Sequence, residues 1–326
     1  MSFHHFLSSY FIKIIYYGIL VYIFIVEEEM RINPTRVAIA QLCSTSNKFE
    51  NLINIAKCAG WAKKEGACML LLPECFGFLG ENAQQTLQNA EPPISLSEKF
   101  NKKEEETSFT EETNNIMSYL RDTVDACSNT NCVSETATSI GSEERYYSNN
   151  QSNKESPIDI SLLHGLRAIA RASGLWISGG GMHESVPASS SSSSDEDPKV
   201  LNTHIILDKN GNVQCKYSKI HLFDVSIPGK VNLQESKTTN AGKKLVVCDS
   251  PIGKLGLSTC YDVRFPEMYI DLIQHGAEVL LVPSAFTVPT GQAHWHILLR
   301  CKFLFLFFLF SFFDKANSSI TQRVDK

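Results

Sequence analysis

Three reactive side chains occupy equivalent places in this sequence: Glu74 closes the apolar run MLLLPE, Lys219 closes VQCKYSK, and Cys260 closes LGLSTC. Each run reads as a strand, and active sites of layered α/β proteins gather at strand ends. A thiol so placed, with a helix start at Pro266 and Glu267 close behind it, has the strand-nucleophile-helix geometry that presents a nucleophile and offers backbone N–H groups to an oxyanion. A free thiol has a pKa of about 8.5, so at neutral pH it needs a base or a cation beside it. Glu74 can supply the first and Lys219 the second. The chemistry within reach is amide hydrolysis: Glu74 takes the thiol proton and passes it to departing ammonia, while Lys219 and a backbone N–H near Tyr261 stabilise the oxyanion. Water then releases the acid from a thioester. Spacing alone leaves a plainer reading open, because a buried cysteine at a strand end is usually a small hydrophobe and a lysine after a strand usually faces water.

The elements that must position these groups alternate between strand and helix. VAIAQL reads as a buried strand, Asn51–Lys64 carries apolar residues at helical spacing until Gly66, and CMLLLPE returns as a strand. Leu162–Ser173 places Leu163, Leu166, Ile169 and Ala170 on one helix face, Gly174 caps it, and LWISGGG follows as a strand. THIILDKNGNVQCKYSK is two strands joined at an Asn-Gly turn. KLGLSTC, a helix opened by Pro266 and ended at Gly276, and AEVLLVPSAF complete the succession, which marks a layered α/β protein. Two polar stretches, 94–157 and 185–199, read as disordered inserts because they cannot bury enough surface to order themselves. A short helix over Asn115–Val124 is the alternative inside the first.

Composition narrows the partners. The chain has 326 residues, of which 43% are hydrophobic, and a formal charge of -5 without a long basic run, so nucleic acid is excluded and a small-molecule partner is favoured. Its ten cysteines include no C-x-x-C pair, which argues against a zinc site and a disulfide framework. His294 and His296 flank Trp295 and read as packing or surface residues. No metal and no cofactor are expected.

Residues 6–26 form an apolar stretch of roughly twenty residues, long enough to cross a bilayer. With Lys13 on the N-terminal side of its uncharged run Ile14–Val26 and Glu27, Glu28 and Glu29 after it, a single-pass membrane protein with a cytoplasmic N-terminus is one expectation. The other takes Met30 as the true start and places the protein in the cytoplasm, with 1–29 a mistaken extension.

LLPECF, YSKIHLFDVSIPG and LGLSTCYDVRFPE, in that order, resemble the three signature blocks of the nitrilase superfamily of carbon-nitrogen hydrolases. The resemblance implies that Glu74 is the base, Lys219 the stabilising cation and Cys260 the nucleophile. It adds Glu235, in NLQES, as the residue that orients the lysine and the substrate. GLWISGGGMHE, HLFDVSIPG and VPSAFTVPTGQAHWHILLR look most like the deaminated-glutathione amidase branch, with the omega-amidases second. Both branches imply cleavage of a terminal amide on a small 2-oxo acid, a four-layer α-β-β-α sandwich and a homodimer. The hydrolase domain is expected over 30–300. The pattern departs from the family at His296, where a glutamate is usual, and stops at Arg300. The tail 301–326 contains an apolar run too short to span a membrane and reads as translated intron or frameshift, so a sandwich incomplete at its C-terminus is expected. The rival to an amidase is an inactive scaffold or binding protein of the same fold; nitrile or carbamoyl substrates are a further alternative within the enzyme class.

Overall fold

In a strand, successive side chains point to opposite faces, so a buried run must find a partner layer on each side. The structure, a computed structural model, describes residues 11–16, 19–26, 35–96, 110–129, 160–186, 198–227 and 231–302. Its large sheet has the order β1-β2-β3-β4-β5-β6-β7, built from Phe11–Tyr16, Ile19–Val26, Thr35–Gln41, Met69–Leu71, Trp176–Ser185, Val200–Leu207 and Val213–Ser218. The central pairs β3–β4 and β4–β5 are parallel and the others antiparallel. On one face lie helices α1 (Lys48–Lys64), α3 (Glu111–Asn129) and α4 (Leu162–Ser173); a short α2 (Ala83–Gln88) precedes α3.

The two faces of the sheet sort the side chains. Leu70, Ile205 and Leu207 join Leu52, Ile55, Leu120, Leu166 and Ile169 in the helix-side core. Met69 and Ile206, one step along the same strands, join Tyr217, Leu255 and Leu257 in a second core. That second core is closed by a sheet of β10 (Val247–Cys248), β11 (Leu255–Leu257) and β12 (Val279–Leu281), and by α5 (Pro266–Gln274) through Met268, Tyr269 and Leu272. The layer order is therefore helix, sheet, sheet, helix, an α/β sandwich as expected. A separate hairpin of β8 (Asp224–Ile227) and β9 (Val231–Gln234) follows the lysine, and 288–302 is helical with a π-helical stretch at Gly291–Trp295.

Local chemistry sets the boundaries. Asn47 accepts from the Glu50 N–H and starts α1 at Lys48, earlier than the apolar spacing alone indicates. Gly174 ends α4 in the left-handed conformation at φ +71. In the β6–β7 turn the Asp208 carboxylate accepts from the N–H groups of Asn210 and Asn212.

Two expectations are corrected. The first insert is not wholly without structure: α3 buries Ile116, Met117, Leu120 and Val124, places Tyr119 against Phe49, and pairs Asp125 with Lys63. The polar residues of this stretch sit on the outer side of an amphipathic helix, which a composition average conceals. The remainder of that insert (97–109 and 130–157), most of the second (187–197) and the tail from 303 lie outside the described residues. The N-terminal apolar stretch is not a helix either. Residues 11–16 and 19–26 pair as antiparallel strands and β2 adds to β3, in keeping with their β-branched and aromatic content. Among the described residues no helix is long and apolar enough to cross a membrane.

The glycine run of β5 is a place of close approach between chain segments. A Cβ on Gly180 would run into the carbonyl oxygen of Leu72 and the side chain of Pro283, and one on Gly181 would press on Asn202 and Glu74. The chain leaving β4 and the chain leaving β12 thus converge over β5. Gly180→Ala is expected to destabilise the protein by about 1–3 kcal/mol or more, measured by denaturant unfolding; an unchanged midpoint would show that the ends of these strands are not packed this tightly.

Candidate active site

Three separate pieces of chain deliver the side chains singled out in the sequence. Glu74 follows β4, Lys219 follows β7, and Glu235 opens the turn Glu235–Lys237 after β9. The Lys219 ammonium is 2% exposed and lies 3.3 Å from Glu74 Oε1 and 2.9 Å from Glu235 Oε2. Glu74 is further held by Asn202 Nδ2, which donates to Oε1 at 2.9 Å, and by the Ala285 N–H, which donates to Oε2 at 3.0 Å. Glu235 also accepts from the Phe223 N–H at 2.7 Å, so its carboxylate ties the lysine to the base of the β8–β9 hairpin.

Cys260 does not end the strand, which stops at Leu257, but begins the tight turn Cys260–Arg264 leading into α5. Its backbone is left-handed, φ +50, and its N–H donates to the Pro283 carbonyl at 2.8 Å. Among the described residues the only other non-glycine with positive φ is Cys75, at φ +55, next to Glu74. Such backbone costs on the order of 1–3 kcal/mol per residue, and it persists where the surroundings over-determine it. The Cys260 thiol lies within electrostatic reach of both Glu74 and Lys219. Tyr261 follows, its ring edge-on to Phe223 at 5.1 Å and Phe265 at 5.7 Å.

The electrostatics follow from burial. Desolvation and the Glu74 carboxylate push the Cys260 thiol above the ordinary thiol range, and Lys219 only partly offsets them. Burial alone would lower Lys219, but Glu74, Glu235 and Cys260 outweigh it and hold the ammonium above the usual lysine range. The resting site therefore holds a protonated thiol beside a carboxylate and a lysine that stays charged. An arrangement of this kind can move a proton from sulfur to carboxylate at the moment the sulfur finds an electrophile. No group of three His, Cys, Asp or Glu side chains among the described residues could hold a metal ion.

A family profile described as carbon-nitrogen hydrolase matches residues 36–305, a span that contains all four of these side chains. The chain belongs to the carbon-nitrogen hydrolase family. A deaminated glutathione amidase of Dictyostelium discoideum is 50% identical over 135 residues, 41% of this chain and 44% of that protein. The deaminated glutathione amidase of Rattus norvegicus is 32% identical over 267 residues, 82% of this chain and 60% of its own length. The crystal structure of the Caenorhabditis elegans NitFhit protein is similar at a TM-score of 0.54 and 29% identity, over 82% of this chain and 47% of that one. The chain thus spans less than two thirds of the length of these relatives.

Several residues around this candidate site of the carbon-nitrogen hydrolase chain were not singled out by sequence. Asn202 is a buried polar residue in a strand, a placement that strands disfavour unless the side chain has a partner, and here the partner is Glu74. His183 lies opposite Asn202 in the β5–β6 pair; burial holds its imidazole down to about 4, against an opposing pull from Glu74. His204, fully buried, is likewise lowered to about 4 by desolvation. It bridges the sheets: Nδ1 must donate to the Ser258 carbonyl at 3.1 Å, which leaves Nε2 to accept from the Ser178 hydroxyl at 2.7 Å.

A folded-state pKa of about 4 against an ordinary 6.5 means that His204 contributes stability fully present above pH 6.5 and lost as pH falls toward 4. His204→Gln is expected to remove about 3 kcal/mol of that acid-dependent loss, read as the difference in unfolding free energy between pH 7 and pH 4. An identical pH dependence in the variant would show that His204 already takes a proton in the folded state.

Proposed function

We propose that this chain is an amidase that hydrolyses the terminal amide of a small 2-oxo acid of the deaminated-glutathione type, releasing ammonia through a thioester on Cys260. The observation that carries the proposal is the meeting of Glu74, Lys219 and Glu235 at a cysteine held in left-handed backbone. The similarity to proteins named deaminated glutathione amidase supports the substrate class.

In this mechanism Cys260 Sγ attacks the amide carbon as its proton passes to Glu74, the carboxylate within electrostatic reach of the thiol. The tetrahedral oxyanion is stabilised by the Lys219 ammonium and by the Tyr261 backbone N–H. Glu74 returns the proton to nitrogen, the C–N bond breaks and ammonia leaves. Water, giving its proton to Glu74, then attacks the thioester; the acid departs and the thiol is restored. Glu235 holds Lys219 by both carboxylate oxygens, at 3.0 Å and 2.9 Å, and orients it without touching sulfur.

Cys260→Ala is expected to abolish ammonia release from 2-oxo amides while leaving the thermal transition in place, and Glu74→Gln to lower turnover by about 10²–10⁴-fold. Both are read by coupled ammonia assay beside a melt. Full activity of Cys260→Ala would sink the thioester route. Turnover of nitriles or carbamoyl compounds in preference to 2-oxo amides would keep the route and displace the substrate class.

A further inference from the structure

The bonds among Glu74, Lys219 and Glu235 hold side chains; the main chains that carry Lys219 and Cys260 are joined by Asp262. This residue is fully buried. Its Oδ1 accepts from the His221 N–H at 3.0 Å and from His221 Nδ1 at 2.7 Å. Its Oδ2 accepts from the Tyr217 hydroxyl at 2.7 Å and from the Thr259 N–H at 2.8 Å. Tyr217 and His221 flank Lys219 on both sides, and Thr259 immediately precedes Cys260.

The direction of every bond is forced, because an ionised carboxylate only accepts. The Tyr217 hydroxyl donates to Asp262 and turns a lone pair to the Ile220 N–H at 3.0 Å, fixing the residue after the lysine as well. His221 stacks on Phe265 at 3.6 Å and 9°, and the Phe265 N–H donates to the Asp262 carbonyl at 3.0 Å, so the far end of the cysteine turn is held by the same residue. An amide in place of this carboxylate would face N–H groups toward N–H or O–H groups on one side.

We propose that Asp262 is a positioning residue that sets Lys219 against Cys260, joining the lysine loop to the cysteine turn through one buried carboxylate. The role assigned to the pair rests on the amidase reading above. Loss of the carboxylate should therefore act through Lys219, so that the lysine no longer assists the thiol even though its side chain is intact.

The test is a double-mutant cycle on the full chain, reading alkylation of Cys260 by iodoacetamide peptide by peptide in a mass spectrometer. In the wild-type background Lys219→Gln is expected to slow alkylation; in the Asp262→Asn background the same change is expected to cost about tenfold less, one unit of thiol pKa. A merely structural aspartate predicts that the two slowdowns multiply, and that result would overturn the proposal. Should Asp262→Asn fail to fold, as judged by a melt, Tyr217→Phe removes one donor, keeps the carboxylate and takes its place in the cycle, where a smaller coupling of the same sign is expected and its absence counts against the proposal. A wild-type chain that releases no ammonia from 2-oxo amides would overturn the amidase reading without touching the cycle, which depends on alkylation alone.

Discussion

The structure turns on one buried ammonium. Lys219 is 2% exposed, and a charge removed from water to that degree must be paired or it becomes a large penalty. Its partners come from far apart in sequence: Glu74 lies 145 residues away and Glu235 lies 16 away. Bringing them together obliges β4, β7 and the turn after β9 to end at one place. That requirement, more than hydrophobic layering, selects how the strands are aligned. Apolar cores tolerate many arrangements of similar volume, whereas a buried ion pair with its partner misplaced does not.

The same constraint explains the strain nearby. Among the described residues the left-handed non-glycine positions are Cys75, which directly follows Glu74, and Cys260. The Cys75 N–H donates to Gly181 and the Cys260 N–H to Pro283, so both turns are anchored to the crowded ground over β5. The absence of a Cβ at Gly180 lets those chain segments meet. Local conformational cost is thus offset by hydrogen bonds that exist only when the three layers are in register.

Much of this was legible in the sequence where local rules hold. Gly174 as a helix end, Pro266 as a helix start and the Asn-Gly turn at Asn210 each follow from backbone preferences of single residues. Alternation and run length placed the three reactive side chains near strand ends, Lys219 directly after β7 and Glu74 and Cys260 three residues beyond β4 and β11. Other features depend on partners distant in sequence. Asn202, Tyr217, His221 and Asp262 are ordinary polar residues until the fold supplies what they bond to. The polar composition around α3 left it as a short alternative over Asn115–Val124 rather than its full Glu111–Asn129, and the strands of the N-terminal stretch were missed by a length rule that counts apolar residues without asking whether they favour strand or helix.

A thiol pushed upward and a lysine held charged in the same site make chemical sense together. A permanently ionised sulfur would meet water and oxidants between turnovers, while a protonated one is inert until its proton has somewhere to go. Glu74 is bonded by Asn202, Lys219 and the Ala285 N–H, and all three approach as donors. In the proposed reaction the thiol proton would pass to a carboxylate whose position is fixed in advance, and Lys219, paired with two carboxylates at rest, would meet an additional negative oxygen only when the tetrahedral species forms. Stabilisation that is stronger in the transition state than in the resting site is what accelerates a reaction. Burial raises the barrier to ionising sulfur in isolation, and the same burial strengthens the field that compensates for it when substrate is bound.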